Sequence, residues 1–428
     1  MEKFDVIVVG AGLAGLAAAY TLACEGLEVL VLERGDYAGA KNVTGGRLYV
    51  NPVREFFPDL WAKAPLERFI ANEGFTMMAG ERSLSINYYG NELAEQPYQS
   101  YSILRAKFDR WLAKQAQRKG AAVVTRSRVD DVIMEAGQVK GVWASGEELR
   151  SDVVIACDGV LSLTAEKAGL RSPGIPENYA VGLKEVIELD PELIEARFGL
   201  EGNEGAAHMF MGEVTKGMFG GGFLYTNQAS LSLGIVVSIK DMMENEASLE
   251  APVLLDNFKQ RPEIARLLKG GEIVEYSAHV IPEGGYKALG ELYGDGILVA
   301  GDAAGFSMNI GITVRGMEYA LASGYYAART VIQAKETGDF SRTALKNYEL
   351  LLKDSFVLKD FASFKETPRA LGNPRFFTTY PEMLGNMMKD IYAVPGGAKN
   401  RLYPTIKKYM TLREMWQMAG DVRQVMKI

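Results

Sequence analysis

Cysteine and histidine are scarce in this chain, two of each in 428 residues. Cys24 and Cys157 are too few and too far apart to staple a domain, so a disulfide scaffold is excluded and a reducing, cytoplasmic setting is expected. No Cys-x-x-Cys occurs, so the chain cannot by itself ligate a four-cysteine iron–sulfur cluster. His208 and His279, far apart in sequence, do not make a metal site, and none is expected. Basic charge is not in excess either: the net charge of −7 argues against nucleic acid as a partner. No internal repeat, low-complexity tract or secretory leader is visible. One long uncharged run, Val6 to Cys24, is almost long enough to cross a bilayer. Its β-branched start, its glycines and the placement of Glu33 favour a different reading.

In that reading Phe4 to Val9 is a buried strand, Gly10-Ala11-Gly12-Leu13-Ala14-Gly15 a tight turn, and Leu16 to Glu25 a helix. A second strand, Glu28 to Leu32, ends at Glu33, where a carboxylate can hold a ribose diol. Gly10, Gly12 and Gly15, with Ala11, Leu13 and Ala14 between them, form the fingerprint of a dinucleotide site, in which a pyrophosphate lies at a helix N-terminus. Nearly three hundred residues later comes Ala300-Gly301-Asp302-Ala303-Ala304-Gly305. A nicotinamide domain needs only the first motif. FAD is longer, and its ribityl chain and flavin ring need a second strand end, a carboxylate and a following helix, so the two motifs together point to FAD. Asp302 follows the strand Ile297 to Val299 and should accept hydrogen bonds from the ribityl chain; the alternative is an ordinary N-capping Asp. Gly311 is expected to precede a long helix, Thr313 to about Lys335, whose free N–H groups would face the flavin's N1 and O2 region. Asp158-Gly159, after the strand Val153 to Ala156, is the third element in the expected order, although Asp-Gly is also a common turn.

The chain is long enough for two or three domains, and its organisation reads as α/β and discontinuous. Residues 1–70, 101–175 and 286–335 form a discontinuous FAD-binding, Rossmann-like domain of the glutathione-reductase-2 type. Residues 71–100 and 176–285 form an inserted β-rich quinone or substrate domain, and residues 336–428 a mostly helical C-terminal region. Within the first, Leu104-Arg105-x-x-Phe108-Asp109-x-Trp111-Leu112 opens a helix with apolar residues at helical spacing. Strands are expected at Ala121 to Thr125, Val129 to Glu135, Val139 to Ala144 and Val153 to Ala156. In the inserted domain they are expected near Ala180 to Glu188, Phe219 to Tyr225, Ser230 to Ile239 and Glu272 to Ile281.

These motifs, with Glu33-Arg34 and Asn42-Val43-Thr44-Gly45-Gly46-Arg47, resemble the geranylgeranyl-reductase and electron-transfer-flavoprotein dehydrogenase superfamily. Gly220-Gly221-Gly222-Phe223-Leu224-Tyr225, Phe258-Lys259-Gln260-Arg261-Pro262 and Glu275-Tyr276-Ser277-Ala278-His279-x-x-x-Glu283-Gly284-Gly285 narrow the resemblance to electron-transfer flavoprotein:quinone oxidoreductases of the FixC, or EtfC, type. The resemblance covers about residues 3 to 335, and the tail from Phe356 matches more loosely. It implies an FAD enzyme that takes electrons from the α and β subunits of an electron-transfer flavoprotein and reduces a membrane quinone. The larger relatives carry a C-terminal four-iron cluster, and its cysteines are absent here. That departure fits an arrangement in which a small ferredoxin-like protein, of FixX type, docks on the flavoprotein, in a complex that can bifurcate electrons on the partner's flavin. Carried over residue by residue, the glycine turn would hold the pyrophosphate and Glu33 the adenosine ribose, with Arg34 beside it in the cofactor-binding set. Arg105 would meet the phosphates or ribityl chain, and Asp302 the ribityl chain. Gly311 and Ile312 would give N–H groups to the pyrimidine ring, and Gly45, Gly46 and Arg47 would pass near the ring's other side. Val129, Asp158, Gly159 and Gly301 would also border the cofactor. Surface ion pairs are the alternative for Arg105 and Arg47.

Gly220, Gly221 and Gly222 would contact the quinone head group; a β-bulge explains them as well. His279 and Tyr225 are candidate proton donors, since quinone reduction takes up two protons, while a lone strand histidine is more often structural. Quinone access implies a peripheral position on the inner face of the cell membrane. Gly74 to Ala79, and Pro374 to Phe377 continuing through Met383, Leu384, Met387, Met388 and Ile391, are candidate membrane-facing stretches, with a basic excess beyond Lys399. A rival prenyl-reductase reading is weakened because Gly222-Phe223-Leu224-Tyr225-Thr226-Asn227 lacks the Trp and Pro of that family's Tyr-x-Trp-x-Phe-Pro motif. An aromatic hydroxylase is a weaker rival still, and a nonenzymatic relay subunit is an alternative from another class.

Overall fold

The structure, a computed structural model, describes residues 3–42, 46–245 and 249–427. The chain begins with β1 (Lys3–Val9), α1 (Leu13–Cys24) and β2 (Val29–Leu32), followed by β3 (Gly46–Tyr49), β4 (Phe69–Ala79), β5 (Arg82–Tyr89) and β6 (Ser100–Ile103). Helix α2 (Arg105–Arg118) leads into β7 (Ala122–Val124), β8 (Val129–Glu135), β9 (Gln138–Ala144) and β10 (Glu147–Ala156). Then come β11 (Tyr179–Glu188), β12 (Glu204–Gly212), β13 (Gly220–Thr226), β14 (Ser230–Ser238) and β15 (Glu272–Pro282). The chain returns through β16 (Tyr293–Gly294) and β17 (Ile297–Val299) to α3 (Met317–Thr337). Among its last helices are α4 (Thr367–Leu371), α5 (Thr379–Tyr392), α6 (Leu402–Tyr409) and α7 (Leu412–Val425).

Two large sheets form among the described residues. In the first, β17, β10, β1, β2 and β7 run parallel in that order, with β16, β9 and β8 appended antiparallel. A parallel sheet is covered on both faces, so its strands are apolar throughout; Val6 to Val9 and Val153 to Ala156 are buried end to end. Helix α1 packs against β1 and β2 of this sheet and against α2 and α3, and is buried almost all round. Its Ala and Gly content allows that: a Cβ at Gly324 of α3 would stand 2.0 Å from the Ala14 carbonyl oxygen. The uncharged run that imitates a membrane span is therefore a strand, a turn and a 12-residue helix, about 18 Å long against the ~30 Å of a bilayer core. No described helix is long and apolar enough to cross a membrane.

The second sheet runs β15-β11-β14-β13-β12-β4-β6-β3, with β5 beside β4. Its core is built from Leu183, Leu224, Leu233, Ile235 and Phe258. β3 and β6 belong here, although the sequence division gives residues 1–70 and 101–175 to the cofactor half; their pairing is non-local. β12 was not expected as a strand. The helix expected from Thr313 starts instead at Met317: residues 308–309 and 314–315 pair antiparallel, Gly311 takes φ +88°, and Gly316 is the N-cap. Helix α7 opens on a capping box of Thr411 and Glu414 and is tied back by Arg375 Nε donating to Asp421 Oδ2 at 2.7 Å.

Candidate functional site

In the first sheet Val9 pairs with Ala156, and Ala156 with Val299, so Gly10, Cys157-Asp158-Gly159 and Ala300-Gly301-Asp302 leave three neighbouring strand ends side by side. Ligands bind at this carboxyl edge in doubly wound sheets. A cavity of about 900 Å³ opens there, bordered by every described member of the expected cofactor set except Ala11 and Gly15. Gly45 falls outside the described residues. The glycines of the turn have separate reasons. Gly10 takes φ +100°, and a Cβ on it would stand 2.4 Å from the Cys157 carbonyl oxygen; at Gly15 a Cβ would stand 2.0 Å from that of Gly10. A Cβ on Gly12 would meet no atom of the described residues within 4 Å, so packing among them does not require that glycine, and it borders the cavity.

Glu33 is buried, and its two carboxylate oxygens accept the N–H groups of Ala11 at 2.9 Å and Gly35 at 2.6 Å. It therefore braces the glycine turn, and each oxygen keeps a lone pair for a hydroxyl. Arg34 beside it is exposed, and Val129 opens β8 on the same wall. Asp158 Oδ2 accepts Thr164 N–H at 2.9 Å, while Oδ1 is buried with no partner among the described residues. Burial raises the Asp158 carboxyl. An orphan acceptor in the wall of a large cavity fits a ligand rich in hydroxyl groups.

The i, i+4 spacing in α2 pairs Arg105 with Asp109 through two bonds of 2.9 Å, Nε to Oδ1 and Nη2 to Oδ2. Among the described residues this guanidinium has no other hydrogen-bond partner, and Arg105 lines the cavity. Burial raises the Asp302 carboxyl, and His279 and Arg105 oppose that rise. Conversely, burial lowers His279 below 6.5 despite Asp302, so the imidazole is uncharged at neutral pH. His279 thus stands at the Asp302–Arg105 clamp. Tyr225 stands in another neighbourhood, with Arg47, Tyr49 and Glu73, and its phenol is raised by burial. Arg47 is a buried ion-pair partner of Glu73, donates from Nε to Ser100 Oγ at 3.0 Å and lies 4.4 Å from the Tyr49 ring centroid.

Gly311 does border the cavity, but its N–H already bonds Asn309 Oδ1 at 2.8 Å, and Ile312 is exposed. The helix N-terminus lies further on, where Gly316 and Met317 line the cavity and the buried Glu318 carboxylate accepts a hydrogen bond from Arg315 Nε at 2.6 Å. Gly220, Gly221 and Gly222 border the cavity in an unbroken register, not in a bulge. A Cβ on them would meet the Val236 and Phe210 carbonyl oxygens at 2.1 and 2.4 Å and the Phe258 ring at 2.9 Å. Close strand packing alone requires these glycines.

Sequence reasoning missed Lys184. Its side chain is buried at the cavity wall on β11, with no hydrogen-bond or ion-pair partner among the described residues; the Phe223 ring centroid lies 5.9 Å away. Burial pushes the ammonium well below 10.5, helped by Arg105 and opposed by Glu275. Its neighbour Glu185 points the other way and pairs with Lys259 at 2.8 Å. A charged pair inside an otherwise apolar strand was the available signal. The membrane-facing stretches also need correcting. Gly74 to Ala79 lies in β4, between β12 and β5, with Thr76 and Met78 buried. Met383, Leu384, Met387, Met388 and Ile391 are half-buried. Beyond Ile391 the C-terminal region does expose apolar residues, among them Tyr392, Val394, Leu402, Tyr403, Leu412, Trp416 and Met426.

Comparison with known proteins finds matches over most of the chain. An FAD-binding domain model matches residues 3–206, an ETF-QO ubiquinone-binding model residues 179–281, and an ETF-QO/FixC family C-terminal domain model residues 368–428. Protein FixC of Salmonella typhimurium is 48% identical over 397 residues, covering 93% of this chain and 92% of the relative. The probable electron transfer flavoprotein-quinone oxidoreductase YdiS of Escherichia coli K12 is 43% identical, covering 92% of each. Among solved structures, a geranylgeranyl bacteriochlorophyll reductase-like protein from Thermoplasma acidophilum superposes with a TM-score of 0.73 at 22% identity, covering 98% of this chain and 99% of the other. The chondrochloren halogenase CndH gives 0.61 at 19% identity, covering 99% and 90%. These two share the fold.

Proposed function

The chain belongs to the ETF-QO/FixC family and is an FAD-dependent oxidoreductase of the electron-transfer-flavoprotein:quinone type, and from that premise we propose that it accepts electrons from the α and β subunits of an electron-transfer flavoprotein and passes them to a membrane quinone. The observation that carries this reading is the continuity of one cavity. It runs from the glycine turn at Gly10 and Gly12 to an apolar end walled by Phe219, Phe376, Phe377 and Val425. At about 900 Å³ it is at the top of the range for small-molecule sites, and an apolar end beyond the cofactor suits a lipid-soluble quinone.

Bound there, FAD supplies a carrier that can receive electrons from a protein and release them to a small acceptor. In this reading the chain's own residues divide the task. The α1 N-terminus and Gly12 receive the pyrophosphate, Glu33 the adenosine ribose, Asp302 and Arg105 the ribityl region, and Asp158 Oδ1 a further donor of the cofactor. Lys184 adds an uncompensated amine to the wall. Because the chain has no Cys-x-x-Cys, a small ferredoxin-like iron–sulfur protein of FixX type completes the assembly. Any division of electrons between ferredoxin and quinone would take place on the partner's flavin.

The exposed apolar side chains of residues 392–426, interleaved with Lys407, Arg413 and Arg423, form the face we assign to the inner membrane surface. The test is steady-state reduction of a short-chain quinone by the purified protein with reduced electron-transfer flavoprotein. Turnover dependent on both partners is expected. Reduction of bound FAD without quinone turnover would mark a relay subunit and overturn the reading. Purification from native membranes should bring two electron-transfer flavoprotein subunits and a small cysteine-rich protein with the chain.

A further inference from the structure

Reducing a quinone to a quinol takes two protons as well as two electrons, and neither expected donor is suited to supplying them. His279 is already uncharged at neutral pH, and burial holds the Tyr225 phenol too high. Glu283, just after β15, is placed differently. Its side chain lines the large cavity and also a small adjoining cavity of about 20 Å³. Phe219, Asn309 and Thr367 line the small cavity too, and Thr367 Oγ1 is buried without a partner among the described residues. Such a volume admits one water, which needs roughly 10–15 Å³ and two or more polar partners. The Asn309 side chain lies within hydrogen-bonding reach of Glu283, and its oxygen takes the Gly311 N–H at 2.8 Å. Phe219 directly precedes Gly220. The carboxyl therefore sits at the glycine-strand end of the large cavity, with a polar side chamber beside it.

We propose that Glu283 is the proton donor to the bound quinone and that the small cavity beside Thr367 reloads it. This deepens, and rests on, the quinone reading above. As the electrons supplied by the electron-transfer flavoprotein reach the quinone, the Glu283 O–H bond breaks and a new O–H bond forms on a quinone carbonyl oxygen. The carboxylate left behind takes a proton from solvent through the side cavity. A second transfer by the same route completes the balance of one quinone, two electrons and two protons to one quinol.

Burial pushes the Glu283 carboxyl up to about 7, with Asn309 acting in the opposite direction. Both forms are then populated at neutral pH, which is where a general acid is most effective. The charged groups on surrounding elements are Glu177, before β11; Asp241, which accepts the Phe219 N–H; Lys287, 3.9 Å from Glu366; Arg315, 2.6 Å from Asp360; and Arg369 on α4. None of them contributes to the shift, which comes from burial and Asn309 alone.

The experiment compares wild-type, Glu283→Gln and Glu283→Asp holoenzymes, each with measured FAD content, using reduced electron-transfer flavoprotein as donor. Acceptors are a short-chain quinone and ferricyanide, which takes up one electron and no proton. The wild-type quinone rate should fall as pH rises through about 7, the value to which the protonated carboxyl is held. In Glu283→Gln the ratio of quinone to ferricyanide rates should drop about 100-fold and lose that pH dependence, while Glu283→Asp should retain it. An unchanged ratio and profile in Glu283→Gln, or a flat profile in Glu283→Asp too, would overturn the proposal. A wild type that reduces no quinone at any pH would instead remove the quinone reading itself.

Discussion

Replacing Lys184 with Met tests the electrostatics of the cavity wall quantitatively. Above about pH 10.4 a lysine is neutral in both folded and unfolded chains. Below that, the unfolded chain binds a proton that the folded chain resists, because the amine is buried with no anion paired to it among the described residues. The unfolded state then holds one more proton, so wild-type stability falls with falling pH by about 1.4 kcal/mol per pH unit. The loss begins at the unfolded value and continues down to the depressed folded one. Met has similar length and no titratable group. The stability difference in favour of Lys184→Met should therefore widen by about 1.4 kcal/mol per unit as pH falls below roughly 10. Urea denaturation at several pH values, with unchanged m-values, measures it. Repeating it with saturating FAD should give a shallower slope if the cofactor brings the amine a negative partner. A difference independent of pH in the cofactor-free protein would refute the idea that Lys184 is buried uncompensated.

Asp302→Asn keeps shape and removes charge. Losing a charge-assisted hydrogen bond of about 1.5–3 kcal/mol should weaken FAD by roughly 10–100-fold in a fluorescence titration, and unchanged affinity would exclude Asp302 from the clamp. His279→Ala should leave the pH dependence of quinone reduction in place, because the imidazole is already uncharged; a flattened profile would return the donor role to it. Trp416 is 79% exposed. On vesicles containing anionic lipid its fluorescence should shift to the blue, and Trp416→Ser should weaken vesicle binding about tenfold, equivalent to ~1.4 kcal/mol of lost apolar burial. A variant sedimenting with vesicles like wild type would place the membrane face elsewhere.

What could be read from the sequence was local and periodic. The glycine turn with its flanking strand and helix, the helix opening at Leu104-Arg105 and the run from Gly301 to Gly305 each express geometry within a few residues, and each contributes residues to the wall of the same cavity. Strands β11, β14 and β15 were legible as apolar runs rich in β-branched residues, and β13 from its apolar Phe223-Leu224-Tyr225 end. β12 was not: Glu204–Gly212 opens on Gly205, Ala206 and Ala207 and ends on Gly212, and its partner β4 is distant in sequence. The start of α3 was misplaced because Thr313 to Gly316 suits helix and hairpin alike, and only pairing with residues 308–309 decides between them. The glycines of β13 look like a ligand contact in sequence, yet their neighbours explain them. Lys184 and Glu283 owe their chemistry to what surrounds them, and isolation from counter-charges is a tertiary property that no spacing reveals.

The central claim is that this cofactor site delivers electrons to a quinone. Its most direct test is a single turnover: the FAD-loaded protein, reduced anaerobically and freed of donor, is mixed with a short-chain quinone while flavin absorbance is followed. The account predicts reoxidation at a rate that rises with quinone concentration and saturates, with one quinol formed per flavin. Flavin that stays reduced in excess quinone, but is reoxidised by oxidised electron-transfer flavoprotein, would contradict it.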